Sequence, residues 1–245
     1  MQKLVGLLRR CIEDYRMIEP GDRIGVGVSG GKDSLVLLAL LAELRRYDSR
    51  FELEAITVDL GFGMDYSRIQ SLCNELNVPF TLVPTEIAPI IFEHRKEKNP
   101  CSMCSKMRRG ALNQALLSRG LNKLALGHHY DDAVETFLMS LLFEGRISCF
   151  QPVTDLDRTG VIQIRPMLYI HERTIDNFAT RMELPVIENR CPVDKTTKRE
   201  EVKQLVFDLS AKYPDLKERI FGAMQRMPLP EWGPQGRYKR PKDEN

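Results

Sequence analysis

Residues 23–34 read RIGVGVSGGKDS and join a short apolar run to a helical pattern through a pair of glycines. The run over residues 23–28 has the length of a buried strand and stops at the turn-forming sequence SGG. The helical pattern covers about residues 33–47 and repeats apolar side chains at Leu35, Leu38, Leu41 and Leu44. The stretch therefore predicts a strand, a tight loop and a helix in direct succession.

The same order of strand and helix recurs further along the chain. Apolar runs at residues 53–60, 80–84 and 123–127 are followed by helical patterns at residues 66–76, after Thr85 and at residues 131–143. Strands that alternate with helices need crossover connections, which place the strands side by side in a parallel sheet. We therefore expect an α/β fold with a doubly wound, mostly parallel sheet flanked by helices.

The two ends of the chain extend this unit. An amphipathic helix is predicted at the start, MQKLVGLLRRCIEDYR. No element is predicted in the polar stretch TDLDRTG. An apolar run follows at residues 161–164, and helical patterns follow at residues 172–182, 198–212 and 216–227. We expect one domain over residues 1–227, and a mobile tail over residues 228–245 because prolines and charges dominate there.

Composition excludes several classes of protein. The chain has 245 residues, of which 42% are hydrophobic and 29% charged, so it is not disordered as a whole. It contains no run of eighteen apolar residues and no signal peptide, so we expect a cytoplasmic protein without a membrane partner. The net charge of +2 predicts no partner, but residues 95–109 carry six Lys or Arg against one Glu. That stretch either meets phosphates or forms a solvated basic surface.

The loop between the first strand and helix has the features of a phosphate site. Its residues are Ser29, Gly30, Gly31, Lys32, Asp33 and Ser34. A helix start offers unpaired backbone N–H groups and the positive end of the dipole, and the glycines let a phosphate approach the backbone closely. The loop lacks the spacing of a Walker A motif. The alternative interpretation is a glycine-rich turn in which Asp33 or Ser34 caps the helix.

A second motif has the same form. Residues 124–136 read LALGHHYDDAVET, in which an apolar run breaks at Gly127 and His128 before a helix start. A carboxylate at a strand end near bound phosphates is a suitable Mg²⁺ ligand. Alternatively, the two aspartates only complement the helix dipole. A zinc site at the paired histidines is disfavoured, because adjacent residues of a helix do not face one ion.

The end of the second strand is a third candidate contact. Ligands of doubly wound sheets lie beyond the carboxyl ends of the strands, so we expect a ligand contact near Val58 and Asp59. The alternative is that these are ordinary strand residues.

Three of the six cysteines are candidates for metal binding, cluster binding or redox chemistry. Cys101 and Cys104 form the pair CSMC, and Cys191 lies in a later loop, ENRCPVD. Three thiolates suit a 4Fe-4S cluster whose fourth iron stays open, but a redox pair of Cys101 and Cys104, or zinc, is also compatible with the spacing. Cys11 and Cys73 fall in helical patterns and are interpreted as buried apolar residues.

Taken with their order, these motifs resemble a known family. The SGGKDS loop resembles that of the PP-loop ATP pyrophosphatases, and the string GHHYDD at residues 127–132 resembles that of their tRNA-modifying branch. Together with CSMCSKMRRG at residues 101–110 and Cys191, they resemble the tRNA 2-thiocytidine synthetase family over about residues 5–227. Many members carry a CxxC where this chain has only Cys191. Enzymes that thiolate tRNA uridines therefore stay an alternative, as does a non-catalytic sensor that binds nucleotide and cluster.

The resemblance implies a function and assigns roles to these residues. ATP would bind at residues 29–34, with its adenine near Val58 and Asp59 and with Mg²⁺ at Asp132, our first candidate, and at Asp33. The C2 oxygen of an anticodon-loop cytidine, at position 32 of the tRNA, would be adenylated and replaced by sulfur. A 4Fe-4S cluster would be held by Cys101, Cys104 and Cys191, and Arg108 would meet an RNA phosphate or transition-state charge. The implied partners are tRNA, a sulfur donor (a cysteine desulfurase or free sulfide) and a second copy of the chain in a homodimer.

Overall fold

The computed structural model describes residues 1–94, 100–156, 160–187, 190–191 and 198–226. The strands are β1 (Arg23–Gly27), β2 (Glu52–Asp59), β3 (Phe80–Pro84), β4 (Lys123–Ala125), β5 (Val153–Leu156) and β6 (Val161–Ile164). The helices are α1 (Gln2–Asp14), α2 (Lys32–Arg45), α3 (Ser67–Glu75), α4 (Pro100–Ser118), α5 (Tyr130–Glu144), α6 (Glu172–Arg181), α7 (Lys198–Lys212) and α8 (Leu216–Arg226), with a π-helical turn at Pro89–His94.

All six strands form one sheet in the order β3-β2-β1-β4-β6-β5. The pairs β1–β2, β2–β3, β1–β4 and β4–β6 are parallel, and only β5 runs antiparallel to its neighbour. The expected α/β fold with a mostly parallel sheet is therefore confirmed.

The edge strand β5 was not predicted, because its sequence is polar. Thr154 and Asp155 pair with Gln163 and Ile162 of β6, although they belong to the polar stretch TDLDRTG. An edge strand is held mainly by backbone hydrogen bonds and has one side open to water, so it tolerates side chains that a central strand excludes. Polarity alone was therefore a poor guide at this edge.

The direction of chain winding changes beside β1. From β1 the chain builds β2 and β3 on one side, and it then returns to place β4 on the other side. In doubly wound sheets this reversal leaves a crevice at the carboxyl ends of the two adjoining strands. Both glycine motifs, at residues 29–34 and 127–132, follow those strand ends, so the topology brings them to one place.

Helix α2 forms the centre of the core. Ten of its fourteen residues are buried, including Ser34 and all of its leucines. Each fully buried leucine stabilises the fold by roughly 1.5–3 kcal/mol through removal of apolar surface from water. The first turn of α2, which follows the predicted phosphate loop, is thus fixed on a rigid element.

Some predictions fall outside the described residues. These are the tail at residues 228–245 and the part of the basic stretch at residues 95–99. Within the described part of the chain, no helix is both long enough and apolar enough to cross a bilayer.

Candidate active site

Side-chain hydroxyl groups stabilise the loop between β1 and α2 by hydrogen bonds to its backbone. Ser34 Oγ accepts a hydrogen bond from Ser29 N at 3.1 Å and donates one to Gly31 O at 2.9 Å. Gly31 is the N-cap of α2, and no side chain caps the helix. The N–H groups of the first turn are therefore available to an anion, and neither Asp33 nor Ser34 is the helix cap of the alternative interpretation.

Glycine is required at the bend of this loop. Gly30 has φ of +87°, which other residues rarely adopt, and a Cβ there would lie 3.2 Å from Ile187 Cβ. Ile187 N also donates to Gly30 O at 2.9 Å. The segment before Cys191 is therefore packed directly on the phosphate loop.

The second glycine motif docks against the first. A Cβ on Gly127 would lie 3.1 Å from Asp33 C and from Ser34 N, both backbone atoms. Backbone cannot move aside as a flexible side chain does, so only glycine lets the loop after β4 approach α2 this closely. This contact fixes the start of α5 beside the start of α2.

Helix α5 begins with a reciprocal capping box. His129 N donates to Asp132 Oδ2 at 3.0 Å, and Asp132 N donates to His129 Nδ1 at 3.3 Å. The other carboxylate oxygen, Asp132 Oδ1, accepts from Arg199 of α7 at 2.8 Å. Both oxygens of our first Mg²⁺ candidate are therefore engaged by the protein.

The neighbouring Asp131 ties the same helix to two others. It is buried, and it accepts hydrogen bonds from Glu172 N at 2.7 Å and from Lys217 Nζ at 2.6 Å. Burial by itself disfavours the charged carboxylate, but the bonds from Lys217 and Glu172 outweigh it and lower the pKa of Asp131. Asp131 thus stays ionised and joins α5 to α6 and α8.

Asp33 differs from both, because one of its oxygens lacks a donor. Within the described residues, the buried Asp33 Oδ1 accepts no hydrogen bond, and His129 Nε2 lies 3.9 Å away. Burial raises the pKa of Asp33, and the charge of His129 partly opposes this. A buried carboxylate oxygen without a donor is costly unless another group satisfies it.

Lys32 pairs with α6. Its Nζ lies 2.9 Å from Glu172 Oε1 and also contacts Asp176. Glu172 receives a second cation, because Lys203 Nζ of α7 lies 2.8 Å from the same oxygen. Burial opposes ionisation of Glu172, yet the bonds from Lys203 and Lys32 lower its pKa to about 2. The lysine of the SGGKDS loop is therefore part of a network between α2, α6 and α7.

A cavity of about 310 Å³ lies at the carboxyl ends of β1 and β2. Six of the predicted site residues, all in the described part of the chain, line it: Ser29, Gly31, Val58, Cys104, Arg108 and Cys191. The structure thus joins the phosphate loop, the proposed adenine contact and two of the three cysteines in one space.

The rest of the wall is apolar and was missed by sequence analysis. It includes Phe62, Met64 and Tyr66, from the loop that follows β2. Asp59 does not line the cavity, but it accepts hydrogen bonds from Gly61 N at 3.0 Å and Tyr66 Oη at 3.4 Å, and so shapes this loop. The position of these residues in the sequence could have identified them, because their loop directly follows a strand that ends at the crevice.

The other predicted nucleotide contacts do not line this cavity. They are Gly30, Lys32, Asp33, Ser34, Gly127, His128 and Asp132. The His128 ring packs 4.8 Å from that of Phe150. Burial and the charge of Arg165 lower the pKa of His128 to about 4, so the imidazole is neutral at pH 7. It is therefore a packed residue rather than a charged phosphate contact in this conformation.

The three cysteines are near one another. Cys101 and Cys104 lie on the first turns of α4, where Cys101 is exposed and Cys104 is partly buried. Burial raises the pKa of Cys104, as does the charge of Cys191 and Cys101, whereas Arg108 lowers it. The segment with Cys191 is held by the contact of Ile187 with the phosphate loop and by Arg190, which donates to Gly63 O at 3.1 Å.

Among the described residues, the cysteines are not arranged as a ligand set for a metal ion. Over the ranges that the structure describes, no three His, Cys, Asp or Glu side chains are arranged to hold a metal ion. All six cysteines are described and none forms a disulfide. Cys11 and Cys73 are fully buried in the core, as expected.

Comparisons with known proteins show which family the chain belongs to. The model of the PP-loop domain family matches residues 6–209. A tRNA-cytidine(32) 2-sulfurtransferase of Bdellovibrio bacteriovorus is 38% identical over 88% of this chain and 84% of its own length. One of Coxiella burnetii is 34% identical over 92% and 90%.

Among solved structures, the U34-tRNA thiolase NcsA of Methanococcus maripaludis with its 4Fe-4S cluster is similar with a TM-score of 0.73. It is 26% identical, and the match covers 88% of this chain and 75% of that one. The resemblance predicted from the motifs is therefore confirmed, and the chain belongs to the PP-loop family and, within it, to the family of the tRNA-cytidine(32) 2-sulfurtransferases.

Proposed function

We propose that this protein is an enzyme that thiolates tRNA, using ATP to activate the C2 oxygen of a cytidine that sulfur then replaces. The observation that carries the proposal is the single cavity in which Ser29 and Gly31 of the phosphate loop meet Cys104, Cys191 and Arg108. Activation of the C2 oxygen and attack of sulfur on C2 take place at adjoining atoms of one base, so they require such a shared space. The names of the curated relatives support the cytidine as substrate.

The chain's own groups suit the first half of this reaction. The uncapped N-terminus of α2 and the hydroxyl of Ser29 would bind the phosphates, and the side chain of Val58 would contact the adenine. The cytosine O2 would attack the α-phosphate and release pyrophosphate. Arg108 lies in the same cavity and would stabilise the negative charge that develops there.

In the second half, sulfide would displace the activated oxygen, and AMP would leave with that oxygen. Cys101, Cys104 and Cys191 would hold a 4Fe-4S cluster, whose open iron supplies a site for sulfide when the cluster is bound. The donor type fits, because thiolates are the ligands of such clusters and Cys104 and Cys191 line the same cavity. The second candidate, a persulfide or disulfide pair at Cys101 and Cys104, rests on their spacing along the first turns of α4.

The proposed Mg²⁺ ligands are unequal. Asp33 fits a cation, because its buried Oδ1 has no hydrogen-bond donor among the described residues. Asp132 would join it only after Arg199 releases the carboxylate. Cation binding would neutralise the phosphates and assist the departure of pyrophosphate.

The remaining assignments follow from the proposed reaction. The substrate would be a cytidine of the tRNA anticodon loop, and a cysteine desulfurase or free sulfide would supply the sulfur. We propose a cytoplasmic enzyme whose residues 1–227 act as one domain, with a homodimer as the candidate assembly.

The decisive experiment measures thionucleosides by mass spectrometry in total tRNA of a strain that lacks the gene. We expect loss of 2-thiocytidine, restored by the wild type but not by Cys191→Ala. Cys149→Ala is the matched control, since Cys149 does not line the cavity and donates to Ala133 O at 3.4 Å. Loss of a thiouridine instead would assign the uridine reaction, and an unchanged profile would reject tRNA thiolation.

A second experiment separates the two sulfur chemistries. Protein reconstituted without oxygen is assayed for iron and sulfide content and for pyrophosphate release with an anticodon stem–loop. We expect about four iron and four sulfide per chain, lost in Cys104→Ala. Activity without bound iron would favour the cysteine pair, and cluster binding without pyrophosphate release would favour the sensor.

A further inference from the structure

A second cavity, of about 490 Å³, adjoins the one that holds the cysteines. It is lined by Met64, Asp65, Arg68, Pro185, Val186, Ile187 and Arg190. Met64 and Ile187 belong to the walls of both cavities. The two spaces are therefore neighbours, and a ligand in the second lies next to the proposed reaction site. We call this second cavity the flanking groove.

The flanking groove has an apolar wall that is open to solvent. Val186 is 49% exposed, whereas Ile187 is fixed by its hydrogen bond to Gly30 O. Val186 N donates to Leu184 O at 2.8 Å, so the segment is held by its own backbone. Exposed apolar surface that is held rigidly beside a reaction site is suited to a flat, partly apolar ligand such as a nucleobase.

The polar part of the groove is positive. Arg68 of α3 and Arg190 are both exposed, and within the described residues neither forms an ion pair with a carboxylate. The one acid, Asp65, accepts hydrogen bonds from Ser67 N at 2.9 Å and Ser67 Oγ at 3.0 Å. Each guanidinium group is planar and carries several N–H donors. Two arginines therefore suit the oxygens of a phosphate.

We infer that the flanking groove binds a nucleotide adjacent to the target cytidine in the single-stranded RNA loop. Its base would pack on Met64 and Val186, and its phosphate would pair with Arg68 and Arg190. A base that enters an enclosed site must leave its stack, and its neighbours must be held while it does so. This assignment rests on the proposed function, because it takes the target base to lie in the adjoining cavity.

The test compares RNA binding by charge-reversal variants. Arg68→Glu is expected to weaken the Kd for an unmodified anticodon stem–loop about tenfold and to lower the salt slope of log K by about one. Val186→Asn removes the apolar contact without adding a charge and is expected to weaken the Kd without changing that slope. Arg9→Glu is the control, since Arg9 is also an exposed arginine and pairs with Glu13 on α1, away from the groove. Fluorescence anisotropy at two salt concentrations measures both quantities, and equal Kd values for Arg68→Glu and Arg9→Glu would overturn the inference.

Crosslinking locates the nucleotide. Stem–loops that carry 5-iodouridine on either side of the target are irradiated with the wild type, and crosslinked peptides are identified by mass spectrometry. A crosslink within residues 64–68 or 185–187 supports the groove, and crosslinks confined to other segments overturn it.

The groove and the proposed function fail in different ways. If the stem–loop is thiolated but Arg68→Glu has the wild-type KM for RNA, the groove is wrong and the function stands. If the groove crosslinks to RNA but no nucleotide is thiolated, the groove stands and the function is wrong. If Arg68→Glu binds RNA normally but no longer receives sulfur from a desulfurase, the groove binds a protein, and the RNA assignment is overturned.

Discussion

The starts of α2 and α5 are built from the same local pattern and end with opposite properties. Each follows a strand and a glycine at the same crevice, beside the point where the sheet changes direction. At α2 the N-cap is Gly31 and no side chain caps the helix, whereas α5 is closed by the reciprocal bonds of His129 and Asp132. The first therefore presents open N–H groups, while the second already has its own carboxylate in place.

Distant helices reinforce this difference. Asp131 and Asp132 are paired with Lys217 of α8 and Arg199 of α7. No such group satisfies Asp33 Oδ1 among the described residues. A strand–glycine–helix sequence thus provides a helix start at the crevice. The packing of other elements decides whether the polar groups of that helix start pair within the protein or stay available to a ligand.

Breaking the contact between the two helix starts should have the largest effect. Gly127→Ala places a Cβ 3.1 Å from backbone atoms of α2, so we expect a loss of about 1–3 kcal/mol of stability and more than a hundredfold of activity. Gly6→Ala is the control, because nothing lies within 4 Å of a Cβ there. Thermal unfolding and thiolation rates measure the two effects, and a Gly127→Ala enzyme with wild-type activity would contradict the close docking.

Disturbing only the first helix start should act on nucleotide binding. Gly30→Ala and Gly21→Ala impose the same backbone strain, at φ of +87° and +89°, worth about 1–2 kcal/mol. Both variants are expected to lower Tm, Gly30→Ala more so because its Cβ would also crowd Ile187, whereas nothing lies within 4 Å of a Cβ at Gly21. Only Gly30 lies in the phosphate loop, so we expect at least a tenfold weaker Kd for ATP in Gly30→Ala alone. Calorimetric titration checks this prediction. Equal affinities in the two variants would show that the loop does not bind the phosphates.

Opening the second helix start should alter the response to Mg²⁺. In Arg199→Ala, Asp132 Oδ1 loses its 2.8 Å partner, and the carboxylate becomes available to a cation. We expect half-maximal pyrophosphate release at a severalfold lower Mg²⁺ concentration, with stability reduced by about 1 kcal/mol or less because the arginine is partly exposed. Arg219→Ala, which removes an exposed pair with Asp215, is the control. An unchanged Mg²⁺ titration would remove Asp132 from the proposed ligands.

The smallest expected effect concerns Glu135, a buried carboxyl group of α5, and the pH dependence of stability. Burial and the charge of Asp132 raise the pKa of Glu135 to about 7. The folded state then holds a proton that the unfolded state releases above about pH 4.5, so this residue makes stability fall as pH rises from about 4.5 to 7. In Glu135→Gln we expect that fall to be smaller, because the amide does not titrate.

Urea unfolding at several pH values measures this difference. The low pKa of the buried His128 acts in the opposite direction over part of the same range. The comparison of wild type with Glu135→Gln therefore isolates the carboxyl, and parallel pH curves would contradict a raised pKa.

Sequence determined the local elements and much of the chemistry of this protein. The strand, loop and helix over residues 23–34 follow from apolar spacing and two glycines, and the motif at residues 127–132 from the same pattern. These features depend on neighbours in the chain, so a local sequence specifies them. The order of the motifs also identified the family correctly.

Tertiary structure alone decided which groups face each other. Lys32 pairs with Glu172, which is 140 residues away, and Asp132 with Arg199, which is 67 residues away. The edge strand β5 and the contact of Ile187 with Gly30 likewise depend on elements from elsewhere in the chain. The physical reason is that pairing and burial depend on how the helices pack on the sheet, and that packing is the sum of many contacts which no single stretch of sequence contains.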